Sequence, residues 1–216
     1  VLICGKYISA LNAPAQPVSS AARAKISRKM ACFRMSAKTR LSCTRIRSIG
    51  LKSELTDADA RKGLIVAIHH PPFSGDTEHS GSTVAEKLLF ESFAATGKYP
   101  HLIMSGHVHN YQRFTVKQKV KDATFEIPCV VAGAGGYSKL GTLLKINGKP
   151  ALAPLQLSDT LTLESHDDEY FGFMRFEITK EQMVGTYFSA PYQELETPRP
   201  RITDGFTVDL AATTVR

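Results

Sequence analysis

From residue 64 onward, short apolar runs alternate with chain breakers. Leu64-Ile65-Val66-Ala67-Ile68 follows Gly63, and Leu102-Ile103-Met104 follows Pro100. Runs of that length predict buried strands. Between them the period changes. Val84, Leu88, Leu89 and Phe93 fall at roughly helical spacing, Thr83-x-x-Glu86 reads as a capping box, and Gly97 sits where a left-handed C-cap belongs. Strand, helix, strand predicts a parallel crossover unit.

Beyond this unit the pattern turns to strands. Tyr111, Phe114 and Val116 open one, and residues 124–127 and 129–132 predict two more parted by Pro128. Residues 139–163, with Pro150 and Pro154, read as an irregular insertion or exposed loop. Glu164-Ser165-His166-Asp167-Asp168-Glu169 reads as an acidic turn before a strand over residues 170–178, in which Phe171, Phe173, Arg175 and Glu177 share one side. Residues 183–189 and 202–210 complete a terminal antiparallel set. Gly133-Ala134-Gly135-Gly136 lacks the spacing of a nucleotide loop and reads as a structural turn.

Charge divides the chain in two. Residues 1–50 hold ten Lys and Arg and no acid, whereas the remainder holds 17 basic and 20 acidic side chains. The net charge of +7 therefore does not describe the folded part. Val1 to Cys4 is too short an apolar run for a membrane span or a signal peptide. Three origins fit the basic segment: an organelle transit peptide, a basic arm for nucleic-acid phosphates, or residues joined from another reading frame near Gly50. The case for nucleic acid rests on this segment alone. Cys4, Cys32, Cys43 and Cys129 have no Cys-x-x-Cys spacing, and Cys129 reads as a small buried hydrophobe.

The candidate chemistry sits just past the two strands of the crossover. Ile68-His69-His70-Pro71-Pro72 ends the first and Ser105-Gly106-His107-Val108-His109-Asn110 the second. Parallel strands deliver both segments to one carboxyl edge, where open α/β sheets bind ligands. His69, His107 and His109 are thus expected to converge, and imidazole is the commonest protein ligand for transition metals. Successive side chains at a strand end point apart, so His70 is not expected to share an ion with His69. His70 and His79 are candidate catalytic groups, as substrate contacts or proton donors. Asp76 and Glu78, in the Gly- and Ser-rich loop carrying His79, are expected to be solvated.

Several of these stretches together resemble the C-terminal half of a calcineurin-like metallophosphoesterase of the purple-acid-phosphatase-like branch. They are Leu51-x-x-Glu54-Leu55, residues 66–74, Gly106-His107-Val108-His109-Asn110-Tyr111-Gln112-Arg113 and Val130-Val131-Ala132-Gly133-Ala134-Gly135-Gly136-Tyr137. The resemblance implies an α/β fold, part of a four-layer α/β/β/α sandwich, with residues 1–50 outside it and residues 51–216 within. It also implies hydrolysis of phosphate esters by two metal ions (Fe, Zn or Mn) bridged by an Asp and a hydroxide. His69 and His107 would hold one ion and His109 the other. The family draws its other ligands from Asp-x-His, Gly-Asp-x-x-Asp (or Tyr) and Gly-Asn-His motifs, which this sequence lacks. The chain is therefore expected to carry half of a dinuclear site and to turn over little alone. The other expected reading is a non-catalytic remnant that associates with a partner through its uncovered sheet face.

Overall fold

The computed structural model describes residues 2–4, 7–9, 40–136, 139–143, 145, 146, 149–190 and 200–216. In chain order the elements are β1 (Leu2–Cys4), β2 (Tyr7–Ser9), α1 (Arg40–Thr56), β3 (Ile65–Ile68), α2 (Thr83–Thr96), β4 (Leu102–Ser105), β5 (Tyr111–Val120) and β6 (Ala123–Ala132). There follow β7 (Lys145–Ile146), β8 (Lys149–Pro150), β9 (Leu155–Ser158), β10 (Leu161–Asp167), β11 (Phe171–Ile178), β12 (Gln182–Ala190), β13 (Arg201–Asp209) and β14 (Thr214–Val215). Eight strands form one mixed sheet in the order β2-β1-β3-β4-β6-β5-β10-β9, and β11-β12-β13-β14 form a second, antiparallel sheet.

Alternation along the central strands explains the layering. Val66, Ile103, Phe114, Ile127, Cys129 and Val131 turn to the face covered by the helices, where they meet Leu51, Leu55, Leu89 and Phe93. Leu102, Tyr111 and Val130 turn to the opposite face and meet Met183, Tyr187, Phe206 and Val208 of the second sheet. The described chain thus stacks as helices, large sheet and small sheet. Burying Leu89 and Phe93 on one stripe of α2 contributes about 1.5–3 kcal/mol each, enough to fix which way the helix faces.

The crossover of β3, α2 and β4 is as the pattern predicts, and Gly97 caps α2 at φ 66°. The N-cap is Ser82, one residue earlier than expected; its extended backbone lets Oγ accept from the Ala85 N–H at 3.2 Å. Pro128 does not divide β6. The β4 ladder on β6 begins at Cys129, so the missing Pro128 N–H falls before that pairing starts. The region expected to be irregular contains β9 and β10. β10 pairs with β5 from Leu161↔Val116 to Asp167↔Tyr111, so the strand absorbs the start of the acidic cluster. Helix α1 runs through the expected boundary at residue 50. Among the described residues, no helix is long and apolar enough to cross a membrane.

His101 ties the amino end of β4 to two other segments. Its Nδ1 accepts from the Leu64 N–H at 2.9 Å, so Nε2 carries the proton and donates to the Leu210 carbonyl at 3.0 Å. Burial holds its pKa below the ordinary histidine value, against the pull of those bonds and of Asp209. A pKa depressed in the folded state means that the unfolded chain takes up the proton first. Stability from this residue is therefore complete at high pH and is lost as pH falls below about 6.5, the unperturbed value. Urea midpoints measured from pH 8 to pH 5 should show that loss. His101→Gln, which keeps one acceptor and one donor but does not titrate, should show a smaller one; equal slopes would remove His101 as the cause.

Candidate metal centre at the carboxyl edge

β3 and β4 run parallel with Ile68 opposite Ser105, and the Gly106 N–H continues the ladder to the His69 carbonyl at 3.2 Å. Both histidine segments therefore leave the sheet side by side. The 106–110 loop then crosses the end of β6. It closes in tight turns, with the Val108 N–H bonded to the Gly106 carbonyl at 2.7 Å and the Asn110 N–H to the Val108 carbonyl at 3.0 Å. His107 adopts φ 66°, a conformation few non-glycine residues hold without support. That support comes from Gly133, whose N–H donates to the Asn110 carbonyl at 3.1 Å. A Cβ on Gly133 would lie 1.8 Å from the Val108 carbonyl oxygen, so only a bare backbone fits beneath the loop.

Five of the seven histidines collect at this edge. His107 Nδ1 and His69 Nε2 are 3.2 Å apart. The His70 ring lies 4.2 Å from that of His107 and 4.8 Å from that of His69, centroid to centroid. Contrary to the strand-end expectation, His70 joins the group: the donor atoms of His69, His70 and His107 all lie within 4.8 Å of one another. The reason is that β3 ends at Ile68 and the chain bends at residues 69 and 70, so the alternation of a strand no longer applies. His79 stacks on His107 at 5.0 Å, and His109 meets His79 edge-on at 6.3 Å. Burial, and then the neighbouring imidazoles His70, His69, His79 and His109, push the His107 pKa down. Neutral imidazole is the form that ligates metal.

A polar network unforeseen from the sequence holds the two loops together. Asp76 is not solvated; it is 4% exposed. Its Oδ1 accepts from the Glu78 and His79 N–H groups at 2.9 and 2.8 Å, and its Oδ2 from Asn110 Nδ2 at 3.1 Å. Gln112 Nε2 donates to Asn110 Oδ1 at 2.8 Å, while its Oε1 accepts from the Gly75 N–H at 2.8 Å. Asn110 and Gln112 share this network because they stand two positions apart at the start of the strand. The sequence signal was their spacing just after the histidines. Glu78 is exposed, as expected, and its 3.4 Å pair with Lys139 is of the weak surface kind.

The donor set decides what can bind. Three imidazoles fit one ion of the zinc type. Among the described residues no carboxylate joins them, and the near one, Asp76, already accepts three hydrogen bonds. A bridged pair of ions does not fit the residues described.

No family model and no curated protein matches the chain. Among solved structures, PhoD aligns with a TM-score of 0.54 at 12% identity, over 79% of this chain and 34% of the PhoD chain. A structure described as GAP50, the anchor in the inner membrane complex of Plasmodium, aligns at 0.47 with 16% identity, over 79% of this chain and 46% of that one. The chain thus spans about a third of the length of PhoD. The likeness is one of fold, a sheet-rich α/β architecture with two principal sheets.

Proposed function

We propose that this chain carries the histidine-bearing half of a metal-dependent phosphoesterase. The observation that supports this reading is the gathering of His69, His70, His79, His107 and His109 at the carboxyl edge of a phosphoesterase-like fold. The finer assignment is the C-terminal half of a four-layer α/β/β/α sandwich of the calcineurin-like, purple-acid-phosphatase-like type, over residues 51–216. In the completed site His69 and His107 hold one metal ion and His109 the other, the remaining ligands coming from segments that carry Asp-x-His, Gly-Asp and Gly-Asn-His motifs. Bound metal supplies charge stabilisation and a hydroxide near neutral pH. This chain's own contribution to a phosphate-ester substrate is to orient it. His70 is exposed and the His79 backbone N–H is held by Asp76, so both side chains can hydrogen-bond phosphate oxygens and His79 can pass a proton to the leaving oxygen. Among the described residues no carboxylate stands beside the imidazoles, and the second reading is a non-catalytic remnant.

The test is hydrolysis of a chromogenic aryl phosphate with Zn²⁺, Mn²⁺ or Fe present. Residues 1–216 should turn over at background. A longer chain supplying the three motifs should hydrolyse the ester and lose activity on His107→Ala. An inactive longer chain would leave the remnant reading. Metal-dependent turnover by residues 1–216, abolished by His107→Ala, would mean that carboxylates such as Asp76 or Asp167 complete the site.

A further inference from the structure

We propose that His69, His70 and His107 form a mononuclear three-imidazole site selective for a borderline transition ion such as Zn²⁺, with His70 as a full ligand. The inference deepens the reading above and shares its site, but it concerns binding rather than hydrolysis, and its chemistry departs from the bridged pair of ions.

Distance is the first argument. Nitrogen donors at 2.0–2.1 Å around a tetrahedral zinc stand about 3.3 Å from one another. His69 Nε2 and His107 Nδ1 are already 3.2 Å apart. His70 completes the triangle within 4.8 Å. Its side chain is exposed.

The second argument is rigidity where it matters. His69 follows β3 directly and is fixed by the Gly106 N–H on its carbonyl. His107 is fixed by its left-handed backbone and by the close seat of Val108 on Gly133. His79 stacks on His107 and occupies one side of that ring. Two of the three side chains are therefore held by the fold, and a three-histidine set would leave a zinc ion one open position.

The third argument is donor chemistry. Three imidazole nitrogens and no carboxylate among the described residues give little to Mg²⁺, Ca²⁺ or Fe(III), which want oxygen. The same set favours Cu²⁺, Ni²⁺ and Zn²⁺ over Mn²⁺.

The experiment is calorimetric titration of the tag-free, metal-stripped chain with ZnCl₂, MnCl₂ and MgCl₂. It is paired with histidine-ring proton–nitrogen NMR spectra. One Zn²⁺ per chain should bind, at least about tenfold tighter than Mn²⁺, with no heat from Mg²⁺. The rings of His69, His70 and His107 should shift on adding Zn²⁺. His70→Ala, at an exposed position and checked for folding by circular dichroism, should weaken Zn²⁺ at least tenfold. Two ions per chain, equal affinity for Zn²⁺ and Mn²⁺, or unchanged Zn²⁺ binding in His70→Ala would overturn the proposal. Zinc binding as described with an inactive longer chain would remove only the phosphoesterase reading. Two ions bound by an active longer chain in which His70→Ala has no effect would remove only this one.

Discussion

Replacing Asp204 by alanine should destabilise the protein by about 3–5 kcal/mol, the range for breaking a buried ion pair on one side. Asp204 lies on β13 of the small sheet and Arg113 on β5 of the large one. Arg113 Nε and Nη2 donate to its two carboxylate oxygens at 2.7 and 3.0 Å, with the side chains only 11% and 9% exposed. Tyr111 adds a third bond, its hydroxyl donating to Asp204 Oδ2 at 2.7 Å, while its ring stacks on Tyr187 at 3.8 Å. Burial and the Asp204 carboxylate push the Tyr111 phenol far up, so it remains a donor at any ordinary pH. Removing the carboxylate strands a guanidinium and a phenol between two sheets, and the cost is mainly that of leaving them unpaired. For a chain of this size the melting temperature should fall by roughly 6–20 °C. The double variant Asp204→Leu with Arg113→Met should recover part of the loss, because an apolar pair leaves no buried charge. A single variant within 1 kcal/mol of the parent, allowing for about that much experimental error, would show that water reaches the pair.

Gly133→Ala should injure the histidine site without removing any of its imidazoles. The new methyl would meet backbone, the Val108 oxygen at 1.8 Å and its carbonyl carbon at 2.7 Å. Neither can rotate away. Either β6 or the 106–110 loop must move, and the loop is the shorter and more exposed of the two. Overpacking of this kind costs about 1–3 kcal/mol. Displacing His107 from its preset position should also lower zinc affinity by roughly 10–100-fold, the usual effect of losing a group that orients a ligand. Calorimetry on the folded variant is the check. Parent-like zinc affinity would mean that the loop's position does not determine the site.

The crossover and its histidines were legible because their signals are local. A Gly- or Pro-bounded apolar run followed by a polar pair marks a strand end, and parallel strands share an edge. What depends on chain meeting chain was not legible. β10 is rich in Thr, Ser and acids and reads as loop until β5 pairs with it. Pro128 reads as a break until the register shows that no β4 partner stands opposite its nitrogen. Asp76 reads as solvated until Asn110, 34 positions on, closes over it. His70 escaped for a different reason. Side-chain alternation ends with the strand at Ile68, and the bend at residues 69 and 70 turns both rings to one place.

The position of β6 sets an order in time. β6 is later in the chain than β5, yet it lies between β4 and β5 in the sheet. The 106–110 loop therefore spans two strand spacings, about 9.5 Å, over a slot that is empty until the β5–β6 hairpin has formed and slid in. Before then His107 and His109 have been synthesised but have no floor beneath them, since Gly133 is the floor. A growing chain that ends between Asn110 and Ala132 holds all five clustered histidines and still lacks the backbone seat at Gly133. Assembly of the site is thus gated by its last supporting residue rather than by its last ligand, and a metal ion that arrives early meets separate imidazoles on an unfinished sheet.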